Sequence, residues 1–435
     1  MPEAASRLQS FAEQLLGTPL PLRIRAWDGS EAGPPDAPTL VVRNRRALRR
    51  LLWKPGELGL ARAWVAGDLG IEGDFYAALD LLSGFVWERG EGDRTLAQAL
   101  REPEVRAAVR GLVKIAGLPL PPSPPREEVP LRRRHPHTKR TDKRAVSHHY
   151  DVGNDFYELV LGPSMVYSCA YWDAPGGTSG ADTLEGAQRD KLDLVCRKLA
   201  LAPGLRLLDV GCGWGSLAIH AAREYGVRVV GVTLSQEQAA YARKRVADEG
   251  LTDRVEIRVQ DYRDVADGPF DAVSSVGMAE HVCSEQYLTY ARDLYALLKP
   301  GGRLLNHQIA RRPHLDEGSY SLDGFIDAYV FPDGELAPVG TTVTQLERAG
   351  FEVRDVESIR EHYALTLRRW VGNLEGDWAR AQQLTSPGRA RVWRLYMAAS
   401  ALAFEHNRIG VNQVVAVRTP ENGDSRMPLR TRTWN

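Results

Sequence analysis

A short apolar run that stops at three closely spaced glycines constrains this chain more than any other stretch. Leu207, Leu208 and Val210 read as a buried parallel strand. Gly211, Gly213 and Gly215 follow at once, where the backbone must bend tightly and let a ligand approach closely. From residue 216 to 225 the pattern turns helical, with Leu217, Ala218, Ala221 and Ala222 on one side. A second apolar run, residues 227–232, completes a βαβ unit. Strand, glycine turn and helix in that order predict a nucleotide-cofactor site at the carboxyl edge of a doubly wound sheet.

The details argue for one kind of cofactor. A dinucleotide site takes G-x-G-x-x-G, whose third glycine brings the helix N-terminus onto a pyrophosphate. Here the string is GCGWG, residues 211–215, with Asp209 just ahead of it. A carboxylate at that point would repel a diphosphate and suits a cationic, amino-acid-bearing cofactor such as S-adenosylmethionine. Downstream, strands are expected over residues 255–259, 270–276 and 303–309, alternating with helices over 236–249 and 287–298. That alternation predicts an α/β fold, a doubly wound Rossmann-like methyltransferase sheet.

At 435 residues the chain has room for a second domain. Residues 1–117 read as a smaller N-terminal α+β domain, with strands over 20–27 and 39–43 and helices over 45–53, 74–87 and 96–115. It carries no catalytic constellation and suits a structural or lipid-presenting role. Residues 118–145 form a stiff linker that opens LPLPPSPP and continues into Arg132, Arg133, Arg134, Lys139, Arg140, Lys143 and Arg144. Formal net charge is zero, with 56 basic and 56 acidic side chains, so attraction to an anionic surface must be local. The linker is either solvated spacer or a dock for anionic lipid headgroups. The catalytic domain is expected over 146–435.

Four cysteines, Cys169, Cys196, Cys212 and Cys283, lack paired-ligand spacing, which argues against a disulfide framework or zinc site. The adjacent His148 and His149 lack a third ligand at metal spacing, so no metal is expected. No signal peptide or membrane-spanning run is read. Two turn-rich aromatic stretches, residues 148–157 and 165–172, are expected to line a site. Residues 325–338 carry Tyr329, Val330 and Phe331, and read equally as a substrate cover or a satellite core.

Taken together, HYDVGND (149–155), YSCAYW (167–172), GCGWG (211–215), QDYRD (260–264) and SVGMAEHV (275–282) resemble the cyclopropane-fatty-acyl-phospholipid synthases, which include the mycolic acid cyclopropane synthases. The resemblance runs from about Val146 to Val417, and five motifs in order make it specific. It implies S-adenosylmethionine contacts at Tyr167, Ser168, Gly211, Gly213, Thr233, Leu234, Gln238, Asp261 and Tyr262, beside Asp209. It also implies a bicarbonate ion held by Cys169 (through its backbone N–H), Glu280, His307, Ile309 and Tyr363. An alkene is a weak nucleophile, so such a site must align its π-bond with the methyl donor and exclude water. A small anion can serve in an apolar channel where a bare carboxylate would be costly.

The resemblance implies methyl transfer to the double bond of unsaturated phospholipid acyl chains at the membrane surface, giving a cyclopropane. The alternative product is a 10-methylene chain, the precursor of 10-methyl chains, which would need a partner flavin- or NADPH-dependent reductase. A homodimer is compatible with this reading, as is a cytoplasmic chain held peripherally on the inner face of the membrane. Two departures bear on the acyl pocket rather than on methyl transfer. Ala279 stands where relatives often carry an aromatic residue, and Ser400 where some carry cysteine. Nucleic-acid methylation is disfavoured, since neither an Asn/Asp-Pro-Pro-Tyr string after the fourth strand nor a Pro-Cys pair is present.

Overall fold

The computed structural model describes residues 4–54, 56–87, 110, 111, 113, 116, 117, 120–129, 152–173, 183–314, 324–332, 334–430 and 432. The helix expected over 96–115 falls largely outside these residues. The basic run from Arg132 to Arg144 and the pair His148 and His149 fall wholly outside them.

Two compact units are formed. The first comprises Met1–Leu131, Asp323–Val330 and Ser386–Leu402, and the second Arg132–Leu322, Phe331–Thr385 and Ala403–Asn435. In the first, helices α1 (Ala4–Leu16), α2 (Arg46–Trp53), α3 (Glu57–Val65) and α4 (Phe75–Trp87) accompany a small mixed sheet. Its strands β1 (Arg23–Arg25), β2 (Glu31–Ala32), β3 (Thr39–Val42) and β4 (Leu69–Glu72) are ordered β2-β1-β3-β4. The strand expected over 20–27 is paired with its neighbours only over Arg23–Arg25, yet Leu20, Leu22, Ile24 and Ala26 keep the inward alternation throughout.

Residues 323–330 and 386–402 differ from a division by chain order, because they pack in this first unit. Tyr329 donates to Glu128 (2.9 Å), which also pairs with Arg62, and the Trp64 indole donates to the Arg391 carbonyl (3.0 Å). Phe325, Tyr329 and Val330 are buried, so residues 325–330 of the late aromatic segment supply core, while Phe331 belongs to the second unit, its ring 5.9 Å from that of His281.

The second unit is built on a seven-stranded sheet. Its elements run α5 (Asn154–Leu161), α6 (Leu184–Lys198), β5 (Arg206–Val210), α7 (Ser216–Tyr225), β6 (Arg228–Thr233), α8 (Gln236–Asp248), β7 (Val255–Val259) and β8 (Phe270–Val276). Then come α9 (Tyr287–Ala296), β9 (Leu298–Arg311), α10 (Val339–Arg348), β10 (Glu352–Ser358), α11 (Arg360–Gly376) and β11 (Ile409–Val417). Strand order is β10-β11-β9-β8-β5-β6-β7, parallel from β9 to β7 and antiparallel at β9–β11 and β10–β11. The order reverses between β5 and β8, which opens a crevice at their carboxyl ends.

Both faces of the sheet are covered, which is why its central strands are apolar nearly throughout. Leu207 packs with Val195 of α6, Ala218 of α7 and Ala242 of α8. Leu208 and Val210 point the other way, toward Tyr290 and Leu294 of α9 and Leu346 of α10. Leu208 is fully enclosed on the strand that ends at the glycine turn. Leu208→Ala should lower stability by about 2–5 kcal/mol through lost burial and a residual cavity. The check is a lower urea midpoint by circular dichroism, and an unchanged midpoint would contradict this packing.

Candidate functional site

The crevice at the carboxyl ends of β5 and β8 is a pocket with about 1440 Å³ of empty space, open solvent included. The end of β5 forms its floor. Gly211 and Gly213 both have positive φ (77° and 53°). A Cβ on Gly211 would come within 3.0 Å of the Met278 side chain, whereas the space at Gly213 is open. Backbone can therefore be approached directly at Gly213.

Each flank of the pocket is placed by a local capping or pairing device. At the end of β6, the Ser235 hydroxyl caps α8 by accepting from the Gln238 N–H (3.2 Å). This sets Gln238 in the first turn, where its Oε1 accepts from the Thr233 hydroxyl (2.9 Å). After β7, Asp261 caps a short 3-10 turn and pairs with Arg263 (2.6 Å). Tyr167, Ser168, Asp209, Gly211, Gly213, Thr233, Leu234, Gln238, Asp261 and Tyr262 all line this one pocket. The ten residues expected at the cofactor thus share one pocket.

Sequence reasoning misses Lys191. This lysine of α6 also lines the pocket, is almost fully buried, and donates to the Ser168 hydroxyl (2.9 Å). Burial lowers its pKa to about 8, against the attraction of the Asp209 carboxylate. Asp209 is pushed up to about 6 by burial, countered by a hydrogen bond from Ser274 (2.8 Å) and by Lys191. No sequence signal marks Lys191, because a lysine in an amphipathic helix reads as solvent-facing.

The five residues expected around an anion do not line that pocket. Glu280 follows β8, and its Oε1 accepts the Ile309 N–H of β9 (2.8 Å). His307 lies two residues earlier on β9, so its side chain and that of Ile309 share a face. Asn306 and Gln308 serve the opposite face, where Tyr290 donates to Asn306 (2.9 Å) and Gln308 donates to Thr342 (2.9 Å). Tyr363 stands on α11, its ring 6.1 Å from that of Trp370, which lies 5.4 Å from the pocket residue Tyr167. Cys169 precedes Ala170, whose N–H donates to Thr366 of the same helix (3.1 Å). The Cys169 thiol is kept protonated by burial and faces the Ile359 carbonyl (3.7 Å).

Among these five residues, two buried polar atoms lack a hydrogen-bond partner, Glu280 Oε2 and His307 Nε2. Such atoms are rare in folded proteins and ask for an explanation. Glu280 as a whole is partly exposed, but its carboxyl is enclosed, and desolvation lifts its pKa to about 7 against the Ile309 hydrogen bond. His307 is held neutral: burial first, then the charges of Lys191 and Lys198, lower it to about 3. The arrangement offers neutral or half-ionised polar groups in a dry setting, as a small anion beside an apolar chain requires. Among the described residues no cluster of His, Cys, Asp and Glu could hold a metal, and no helix is long and apolar enough to cross a membrane.

The enclosed Glu280 carboxyl makes ligand-free stability depend on pH. The folded chain keeps a proton there between 4.5, the ordinary value, and about 7, where the unfolded chain has released it. Its contribution is present below 4.5 and lost as pH rises through about 7, on the order of 3 kcal/mol. Urea midpoints of Glu280→Gln and wild type should diverge across that window, with the variant gaining as pH rises. A difference independent of pH would contradict the buried carboxyl.

The mycolic acid cyclopropane synthetase family model matches residues 137–414. A probable fatty acid methyltransferase of Mycobacterium tuberculosis is 46% identical over 419 residues, 94% of each chain. The cyclopropane-fatty-acyl-phospholipid synthase of Escherichia coli is 41% identical over 275 residues, 63% of this chain and 68% of that one. Among solved structures, the mycolic acid cyclopropane synthase CmaA1 complexed with SAH and CTAB is similar at a TM-score of 0.59. It is 32% identical, and the match covers 63% of this chain and 98% of that one.

Proposed function

The chain belongs to the mycolic acid cyclopropane synthetase family, and we propose that it closes a cyclopropane ring on the double bond of unsaturated phospholipid acyl chains. It is an S-adenosylmethionine-dependent lipid methyltransferase. The acyl-alkene reading rests on one observation, the pairing of the cofactor pocket with buried, unpartnered Glu280 Oε2 and His307 Nε2 close by in the same unit. The ring is preferred to the methylene chain on the similarity to the cyclopropane-fatty-acyl-phospholipid synthase.

S-adenosylmethionine supplies an electrophilic methyl group on a sulfonium. In the proposed site the chain's own residues place it. Gly211 and Gly213 let backbone approach, and Thr233, Leu234 and Gln238 form the wall at the end of β6. Asp261, Tyr262, Tyr167 and Ser168 complete the lining and would contact the rest of the cofactor. Lys191 and Asp209 put one cation and one carboxylate in the same pocket, matching the opposite charges of an amino-acid tail.

A small anion fits the second group of residues, since Glu280 and His307 each present an unpartnered buried atom. Glu280, His307, Tyr363 and the backbone at Cys169 and Ile309 would hold bicarbonate there, and it would supply a proton acceptor within an apolar channel. Glu280, near 7, can offer either an O–H or an oxygen to such an ion. The packed rings of Tyr157 and Trp214 (4.7 Å between centroids), with Tyr167 and Trp370, would exclude water from that side. Where the proton leaves decides the product: loss from the added methyl closes a ring, and loss after rearrangement leaves a methylene chain.

Lipids from cells that express the chain and are fed oleate should gain one CH2 and show cyclopropyl proton signals by NMR. Vinylidene signals at the same mass gain would replace the ring with a 10-methylene product and call for a reductase partner. Absence of any mass gain with oleate and with other monounsaturated acyl chains would overturn the lipid alkene as substrate. Glu280→Gln should bind S-adenosylmethionine within about twofold of wild type and lose on the order of 100-fold in turnover. Wild-type turnover in that variant would remove Glu280 from the site.

A further inference from the structure

Behind His307 stands a chain of groups whose hydrogen-bonding roles are dictated by their chemistry. Lys198, near the end of α6, has its Nζ 2.7 Å from one terminus of the Gln413 side-chain amide. An ammonium can only donate, so the terminus that faces it is the carbonyl oxygen. The amide NH2 of Gln413 therefore points the other way, where it lies 3.2 Å from His307 Nδ1. An amide NH2 likewise only donates, so Nδ1 must accept. A neutral imidazole accepting at Nδ1 carries its proton on Nε2.

The arrangement is anchored at its far end. Glu357 accepts from Lys198 through Oε2 and from the Tyr171 hydroxyl through Oε1 (3.3 Å), which keeps a counter-charge beside the ammonium. Lys198 and Gln413 are fully buried and His307 is 1% exposed, so bulk solvent does not compete for these groups. Gln413 of β11 is paired directly across the ladder from His307 of β9, which holds the two side chains on one face at fixed spacing. The positive charges of Lys191 and Lys198 oppose a second ring proton, as does burial.

We propose that Lys198 and Gln413 are positioning residues that lock His307 as the neutral Nε2–H tautomer, so that it meets the reacting complex as a hydrogen-bond donor and not as a base. This rests on the reading that His307 stands at the acyl site. The proton lost during ring closure then goes to an acceptor other than His307. Nε2, the ring atom without a partner, is the N–H that orients such an acceptor.

The test reads the tautomer without turnover. In the full-length chain labelled with 15N, long-range 1H–15N correlation of the histidine rings assigns His307 by its loss in His307→Gln. The expected wild-type pattern at pH 7 is an unprotonated Nδ1 and a protonated Nε2. Gln413→Glu keeps the size of the side chain and a partner for Lys198, but it can only accept from Nδ1. It should move the ring to Nδ1–H or to imidazolium, and lower turnover about 10- to 100-fold with the S-adenosylmethionine KM within about twofold. Lys198→Met, which frees the amide to rotate, should give a mixture of tautomers.

A wild-type ring protonated at Nδ1 overturns the proposal. Full turnover in Gln413→Glu, with turnover lost in His307→Gln, overturns the positioning role and leaves the lipid reading in place. Full turnover in His307→Gln overturns both that role and the placement of His307 at the acyl site.

Discussion

Burying an ionisable group costs several kcal/mol unless it is neutralised or paired, and the second unit does this repeatedly around its site. Lys191, Lys198, Asp209 and His307 are each no more than 2% exposed. Each is settled differently. Lys198 is paired with Glu357, while burial shifts Lys191 and Asp209 toward their neutral forms and the opposite charge of each holds the other back. His307 is simply neutral. The carboxyl of Glu280 joins them, poised near 7. A dry site of this kind suits chemistry on an alkene, where water would compete with a weak nucleophile and quench a developing cation.

That interior exists because strand order reverses between β5 and β8. The reversal opens the crevice, and the glycines after β5 let a ligand reach backbone within it. Strand β9 then divides two sets of polar groups by its period of two. Asn306 and Gln308 tie one face to α9 and α10 through Tyr290 and Thr342. His307 and Ile309 serve the other, where Gln413 and Glu280 meet them. A one-residue slip of β9 would exchange these sets, so its register with β8 and β11 is a condition of the site as well as of the fold.

Much of this was legible in the residues. The apolar runs of β5, β7 and β8, the glycine turn and the helix after it lie where periodicity places them, since local signals and burial agree there. Of the ten residues expected at the cofactor, those at the ends of β5, β6 and β7 share one pocket because the carboxyl ends of parallel strands lie along one edge, while Gln238 joins from the first turn of α8 and Tyr167 and Ser168 from the loop before α6. Other elements were less legible. Helix α5 begins at Asn154, four residues before the helical pattern becomes apparent, since Gly153 and the polar Asn154 and Asp155 mask its first turn. The antiparallel strands β10 and β11 carry no turn or spacing signal that sets them apart, and their place beside β9 follows from the ladder alone.

The α/β class, the glycine turn, the family motifs and the side chains able to do the chemistry can all be read from the residues, because each depends on neighbours within a few positions. Tertiary structure alone decided which polar groups lose water and which atoms face one another. Lys198 meets Gln413 across 215 positions of chain, and Gln413 meets His307 across 106. Residues 323–330 and 386–402 likewise join the first unit through contacts with residues far upstream, such as Glu128 and Trp64. A lysine or glutamine in an amphipathic pattern reads as solvated, and only packing shows that it is buried. Protonation state and tautomer are properties of that packing, since they are set by desolvation and by partners that no local pattern encodes.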